Sequence, residues 1–68
     1  MNAIDRGLIA MRISYNTRNE AVLRVMLRDL VRYGCSADEI YGNCTSLEMK
    51  FRIKALLDQM ELRPVAVR

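Results

Sequence analysis

Eight polar side chains fall in two clusters whose types and spacing could do chemistry. Arg24, Arg28 and Arg32 recur every four residues, and Ser46, Glu48, Lys50, Arg52 and Lys54 alternate along one later stretch. The guanidinium and ammonium groups are suited to neutralising phosphates or carboxylates, and a hydroxyl, a carboxylate and two lysines on one helix could meet base edges in a groove. Each cluster also has a plainer reading. Like charges at i, i+4 and i+8 cost a few tenths of a kcal/mol per pair. Glu20 and Asp29 offset part of that, as on an ordinary solvated helix face. In the second cluster Lys50 and Lys54 share a face while Arg52 lies well round from both, so the three cannot enter one groove equally.

Catalytic chemistry has little to work with. The 68 residues contain neither His nor Trp, so the commonest general base and metal ligand are both missing. Two cysteines, Cys35 and Cys44, are too few for a four-ligand zinc site without His and are expected as free thiols. Asp38 and Glu39 read as first-turn acids of a helix, and no Gly-rich phosphate loop occurs. No enzymatic activity, metal or cofactor is expected. Eleven Lys and Arg against eight acids give a net charge of +3, which permits a nucleic-acid partner without requiring one.

These side chains must be positioned by helices. In residues 17–33, Leu23, Leu27, Leu30 and Val31 form an apolar stripe that Val22, Val25 and Met26 widen. Asn16 or Thr17 is placed to cap it, with Glu20 three residues after Thr17 as in a capping box, and Gly34 is placed to end it. Residues 36–41 read as a short helix: Ser36 caps, Ile40 anchors, and Gly42 and Asn43 terminate in left-handed conformation. Residues 46–62 read as the second long helix, opened by a Thr45–Glu48 capping box and stopped by Pro64. There Met49, Ile53, Leu56, Leu57 and Met60 share one stripe, while Leu47 and Phe51 point nearly the opposite way. The first fifteen residues are ambiguous. Ile9, Met11, Ile13 and Tyr15 alternate as in a strand, whereas Ile4, Leu8 and Met11 keep helical spacing; a short helix or an arm is favoured over a strand. Residues 64–68 read as a loose tail.

The expected architecture is a single all-α domain over residues 1–68: two long helices joined by a short one, helix-turn-helix-like. An apolar share of 51% is high for so small a chain, so a homodimer or a docked protein partner is expected to cover the excess. Leu47, Phe51, Val22 and Met26 are the candidate interface residues. With 28% charged residues and no long apolar run, no membrane span is expected, and the default location is cytoplasmic.

Gly34-x-Ser36-x-x-Glu39-Ile40 resembles the opening that precedes recognition helices in many bacterial regulators. A strict helix-turn-helix template with Ile40 as its early buried position also buries Cys44 and Phe51. It places Tyr41 where a small residue is usual and Thr45 where Gly is usual. Over residues 20–57 the chain also resembles the N-terminal region of the FlhC family, subunits of the bacterial flagellar master activator. The resemblance rests on Glu20-Ala21, Leu30-Val31, Gly34, Ile40, the small Cys44, the Ser46-Leu47 pair in reversed order, an apolar residue at Phe51, and Lys54. It implies a helical, DNA-binding protein that depends on a partner subunit; the family's cysteine-rich zinc region has no counterpart here.

Three functional classes follow. The first is a small DNA-binding transcriptional regulator, dimeric or paired with another subunit. Ser46, Glu48, Lys50, Arg52 and Lys54 would meet DNA, with Arg24, Arg28 and Arg32 on phosphates. The second is a protein-binding helical dimer, such as a phage or mobile-element adaptor that sequesters a regulator. A ribbon-helix-helix protein, ranked below helix-turn-helix, is an alternative DNA-binding architecture for the first class, with Ala10, Arg12 and Ser14 facing outward from a strand over residues 9–15; an enzyme is the third class and the least expected.

Overall fold

The computed structural model describes residues 2–65. Four helices follow in order: α1 Ala3–Asn16, α2 Glu20–Arg32, α3 Ala37–Gly42 and α4 Leu47–Gln59. No strand occurs among the described residues. Among those residues the only β-type contact is an isolated parallel bridge between Ser36 and Val65. The all-α expectation is met, and a strand over residues 9–15 is excluded, which removes the geometry a ribbon-helix-helix protein needs.

The N-terminal segment is a full helix rather than a short element or an arm. Asn2 caps it by accepting from the Asp5 N–H at 2.8 Å. The alternation that mimics a strand has another origin. Ala3, Gly7, Ala10 and Ser14 lie on one side of α1, and the first three line a groove with Met26, Asp29, Leu30 and Tyr33 of the α2 segment. The start of α1 therefore lies beside the end of α2, an antiparallel hairpin whose seam is made of small residues. A Cβ on Gly7 would stand 2.8 Å from Leu30 Cδ2, so the missing side chain is what allows this approach. Buried Ser14 donates to the Ala10 carbonyl at 2.8 Å and leaves no unsatisfied polar atom in the seam.

All three long helices stop in the same way. At the end of α1, Arg18 N–H donates to the Tyr15 carbonyl and Asn19 N–H to that of Ser14. After α2, Gly34 donates to Val31 and Cys35 to Leu30; after α4, Glu61 donates to Asp58 and Leu62 to Leu57. Each is the paired 5→2 and 6→1 closure of a Schellman motif, with a left-handed residue at its pivot. Gly34 at φ +83° was expected there, but Arg18 and Glu61, both at φ +56°, were not. Because its pivot is Glu61, α4 ends before the stop that Pro64 marks.

The caps shift accordingly. Helix α2 is capped by Asn19, which accepts from Val22 N–H, not by Asn16 or Thr17. Thr17 instead belongs to the end of α1, its hydroxyl donating to the Ile13 carbonyl at 2.9 Å. Helix α4 is capped by Ser46, which accepts from Met49 N–H at 3.1 Å, so the Thr45–Glu48 box does not form. Thr45 turns toward the Met49 sulfur. In α3 the capping box is complete: Ser36 Oγ accepts from Glu39 N–H and Glu39 Oε1 accepts from Ser36 N–H, both at 3.1 Å. Gly42 is not left-handed; it is the last helical residue, and Asn43 follows at φ −94°.

The core gathers one face of each helix: Leu8 and Met11, then Leu23, Leu27 and Leu30, then Ile40, then Met49, Ile53, Leu56 and Leu57, with Cys35 between α2 and α3. Each is at most 6% exposed, the level at which dispersion and desolvation both favour the fold. Val65, in the expected loose tail, accepts from Ala37 N–H at 3.0 Å and so holds the chain end against α3. Residues 66–68 of that tail lie outside the described residues.

Candidate interaction surface

The two clusters of cations part company in three dimensions. Arg24 does not continue the line of Arg28 and Arg32. Its guanidinium turns toward α4, donating to Gln59 Oε1 at 2.9 Å and meeting Glu20 at 3.4 Å. Glu20 also holds Arg52, so one carboxylate ties α2 to α4 through two guanidinium groups. These pairs are a third to a half exposed, which limits each to about 0.2–1 kcal/mol. They still fix where Arg24 and Arg52 point. Lys50 is engaged too, its ammonium lying 5.8 Å from the centroid of the Tyr41 ring. Burial raises the Tyr41 hydroxyl above its ordinary pKa, with Asp58 and Cys44 adding to the effect.

Of the eight residues assigned to DNA, Ser46 is occupied as the α4 cap and Arg24, Arg52 and Lys50 have partners within the domain. Glu48 and Lys54 are exposed on α4, and Arg28 and Arg32 on the outward face of α2. The two clusters therefore do not converge on one strip of free cations. Glu20 and Gln59 are the residues that sequence reading missed in this role. Glu20 was placed as a capping acid and as an offset to the arginines of its own helix, which its pair with Arg24 bears out, but nothing in its spacing marks a bond to a residue 32 positions on.

The candidate interface residues also divide. Met26 is half-buried and packs against the core, which leaves it little to offer a partner. Leu47 is 70% exposed, Phe51 66% and Val22 40%. Val25, read as part of the core-facing stripe, is turned outward beside Arg28 on α2 and is 47% exposed. The exposure of Phe51 departs from the strict helix-turn-helix template, which buries that position. With about 3.6 residues per turn, Met49, Ile53, Leu56 and Leu57 take the inward side of α4. Leu47, Phe51, Ala55 and Asp58 are left in a line on the opposite side, flanked by Glu48 and Lys54.

A concavity of about 570 Å³ opens where the end of α1 meets the starts of α2 and α4. Tyr15, Leu23, Thr45 and Ser46 form part of its wall, and its charges alternate: Arg18 and Arg52 against Glu20 and Glu48. Its walls carry no nucleophile–base pair. No grouping of three His, Cys, Asp or Glu side chains able to hold a metal occurs among the described residues. Both cysteines are free. Burial, with the Glu39 carboxylate adding, pushes the Cys35 thiol up to about 11. Burial also raises the Cys44 thiol, with Lys50 acting in the opposite direction. No helix of the described chain is long and apolar enough to cross a membrane.

Compared with models of known protein families, with curated proteins and with solved structures, the chain matches none.

Proposed function

We propose that this chain is a protein-docking helical module, an adaptor whose working surface is the outward face of α4. One observation carries this reading. Among the described residues the two most exposed large apolar side chains, Leu47 and Phe51, stand one turn apart at the middle of that face, and the core closes without them. Adjacent exposed apolar groups of this size are what a protein interface desolvates. A helix that reads base edges presents polar groups at its centre, and on α4 that place is taken by Leu47, Phe51 and Ala55.

A second reading is supported by Arg28, Arg32 and Lys54, which are exposed and make no ion pair among the described residues, and by the succession of α3, a short turn and α4. In it the chain is a small DNA-binding transcriptional regulator of the helix-turn-helix kind, acting as a dimer or with a partner subunit. Two variants separate the readings. Leu47→Ser with Phe51→Ser strips the apolar face, and Arg28→Ala with Arg32→Ala and Lys54→Ala strips the free cations. Under the docking reading, fluorescence anisotropy with duplex DNA detects only weak association that vanishes as salt rises, and association with other protein is lost in the first variant alone. Tight, sequence-selective DNA binding that survives the first variant and is abolished by the second would overturn it.

A further inference from the structure

The concavity where the end of α1 meets the starts of α2 and α4 carries a charge pattern that selects a ligand. We propose that it binds a small zwitterion of the amino-acid or short-peptide kind, with the carboxylate on Arg18 and the ammonium on Glu48. The inference is independent of the docking reading, because a small molecule rather than a protein fills the site.

Four charged side chains line this space of about 570 Å³, a volume within the range of small-molecule sites. Two of them are committed to the fold, since Glu20 holds both Arg52 and Arg24. Arg18 and Glu48 differ from these. They line the same space from separate elements, Arg18 from the turn between α1 and α2 and Glu48 from the first turn of α4. Among the described residues neither makes an ion pair, with the other or with anything else. The wall therefore offers one free guanidinium and one free carboxylate that do not close on each other. A simple anion drawn to Arg18 meets the fields of Glu20 and Glu48, and a simple cation drawn to Glu48 meets those of Arg18 and Arg52. A ligand carrying both charges satisfies both ends at once. The guanidinium offers paired N–H donors that match a carboxylate, and the Glu48 oxygens accept from an ammonium. Half-buried Tyr15 and buried Leu23 line the same space and give the ligand's side chain an apolar wall. Both contacts would be open to solvent, so the affinity is weak, with a Kd on the order of 1 mM.

Titrations of the isotope-labelled full chain, read from NMR amide shifts at fixed ionic strength, test this. The probes are leucine and leucyl-leucine, each in its free, N-acetylated and C-amidated form. Saturable shifts centred on residues 14–23 and 45–52 are expected with at least one of the free forms, and the tighter of the two sets the span between the charges. Its acetylated form lacks the ammonium and its amidated form the carboxylate, and each should bind about fivefold more weakly. Arg18→Gly removes the guanidinium while relieving the left-handed backbone at φ +56°, so affinity should fall about fivefold in a domain that melts no lower than the parent. Glu48→Gln should abolish the preference for the free over the acetylated ligand and keep the preference over the amidated one, a change that a merely loosened structure does not produce. The proposal is overturned if neither free probe gives a saturable shift up to about 50 mM, if the blocked forms bind as well as the free ones, or if binding is indifferent to Arg18→Gly.

Discussion

Gly7 and Gly42 allow one chemical change, Gly to Ala, to be made twice with opposite expected outcomes. Both are helical, and in a helix the change alone stabilises by about 0.5–1 kcal/mol through backbone entropy. At Gly42 nothing lies within 4 Å of the new methyl group, so that gain is expected undiminished. At Gly7 the methyl stands 2.8 Å from Leu30 Cδ2 and 3.4 Å from its Cγ, where carbon atoms prefer about 3.5–4.0 Å. Leu30 is fully buried, so it retreats only by displacing the core behind it. Overpacking of this kind costs about 1–3 kcal/mol, which outweighs the entropy gain and leaves Gly7→Ala destabilising by up to about 2 kcal/mol. For a domain of this size that is a fall in Tm on the order of 10 °C, against a rise of a few degrees for Gly42→Ala. Urea and thermal melts followed by circular dichroism give both numbers. Leu30→Val completes a cycle by removing Cδ2, and in that background Gly7→Ala should lose most of its penalty. If Gly7→Ala raises Tm as Gly42→Ala does, or if its effect is the same with Val at position 30, the close approach of α1 to α2 is not what fixes Gly7.

Arg18→Gly and Glu61→Gly should each stabilise the domain by up to about 1 kcal/mol, because each relieves a side chain held in left-handed conformation; a melt in which either lowers Tm refutes the assignment. Ser36→Ala removes one half of the α3 capping box and should cost about 1 kcal/mol, read as a lower urea midpoint with unchanged m-value. The Cys35 thiol has an ordinary pKa of 9.0 and a folded value of about 11. The folded state thus keeps its proton longer than the unfolded chain does, and this contribution to stability is fully present below pH 9 and lost as pH rises toward 11. Tm is expected to decline through that window, and Cys35→Ala should flatten the decline. The same protonation predicts that an aromatic disulfide reagent at pH 8 meets no fast thiol in native protein and two after denaturation.

Helices whose apolar residues all face inward were legible in the sequence. The stripe of α2 at Leu23, Leu27 and Leu30 and that of α4 at Met49, Ile53, Leu56 and Leu57 follow from spacing alone, as does the Gly34–Ser36 passage between α2 and α3. Helix α1 was harder because, although Leu8 and Met11 enter the core, the side that meets the end of α2 is made of small residues. Gly7, Ala10 and Ser14 carry no apolar periodicity, yet they are what face α2. Two helix ends were hidden for a different reason: Arg18 and Glu61 do the work of glycine, and composition does not mark them. Within the candidate surface, the outward Leu47 and Phe51 could be read from the wheel of α4. The ties from Arg52 to Glu20 and from Arg24 to Gln59 could not, because they join residues far apart in the chain whose pairing depends on how α2 and α4 lie together.

The hydrogen bond from Ala37 to Val65 has a bearing on the order in which the domain is completed. Helix α3 spans six residues, too short to persist without external support, and its first amide is satisfied by a carbonyl that the chain produces only after α4. During synthesis α1 and α2 can close their hairpin at once, through local contacts with little loop entropy. The segment between α2 and α4 must wait for residue 65. A fusion or cleavage close behind that residue would therefore be felt first not at the chain end but in the middle of the domain, at the short helix that sets α4 in place.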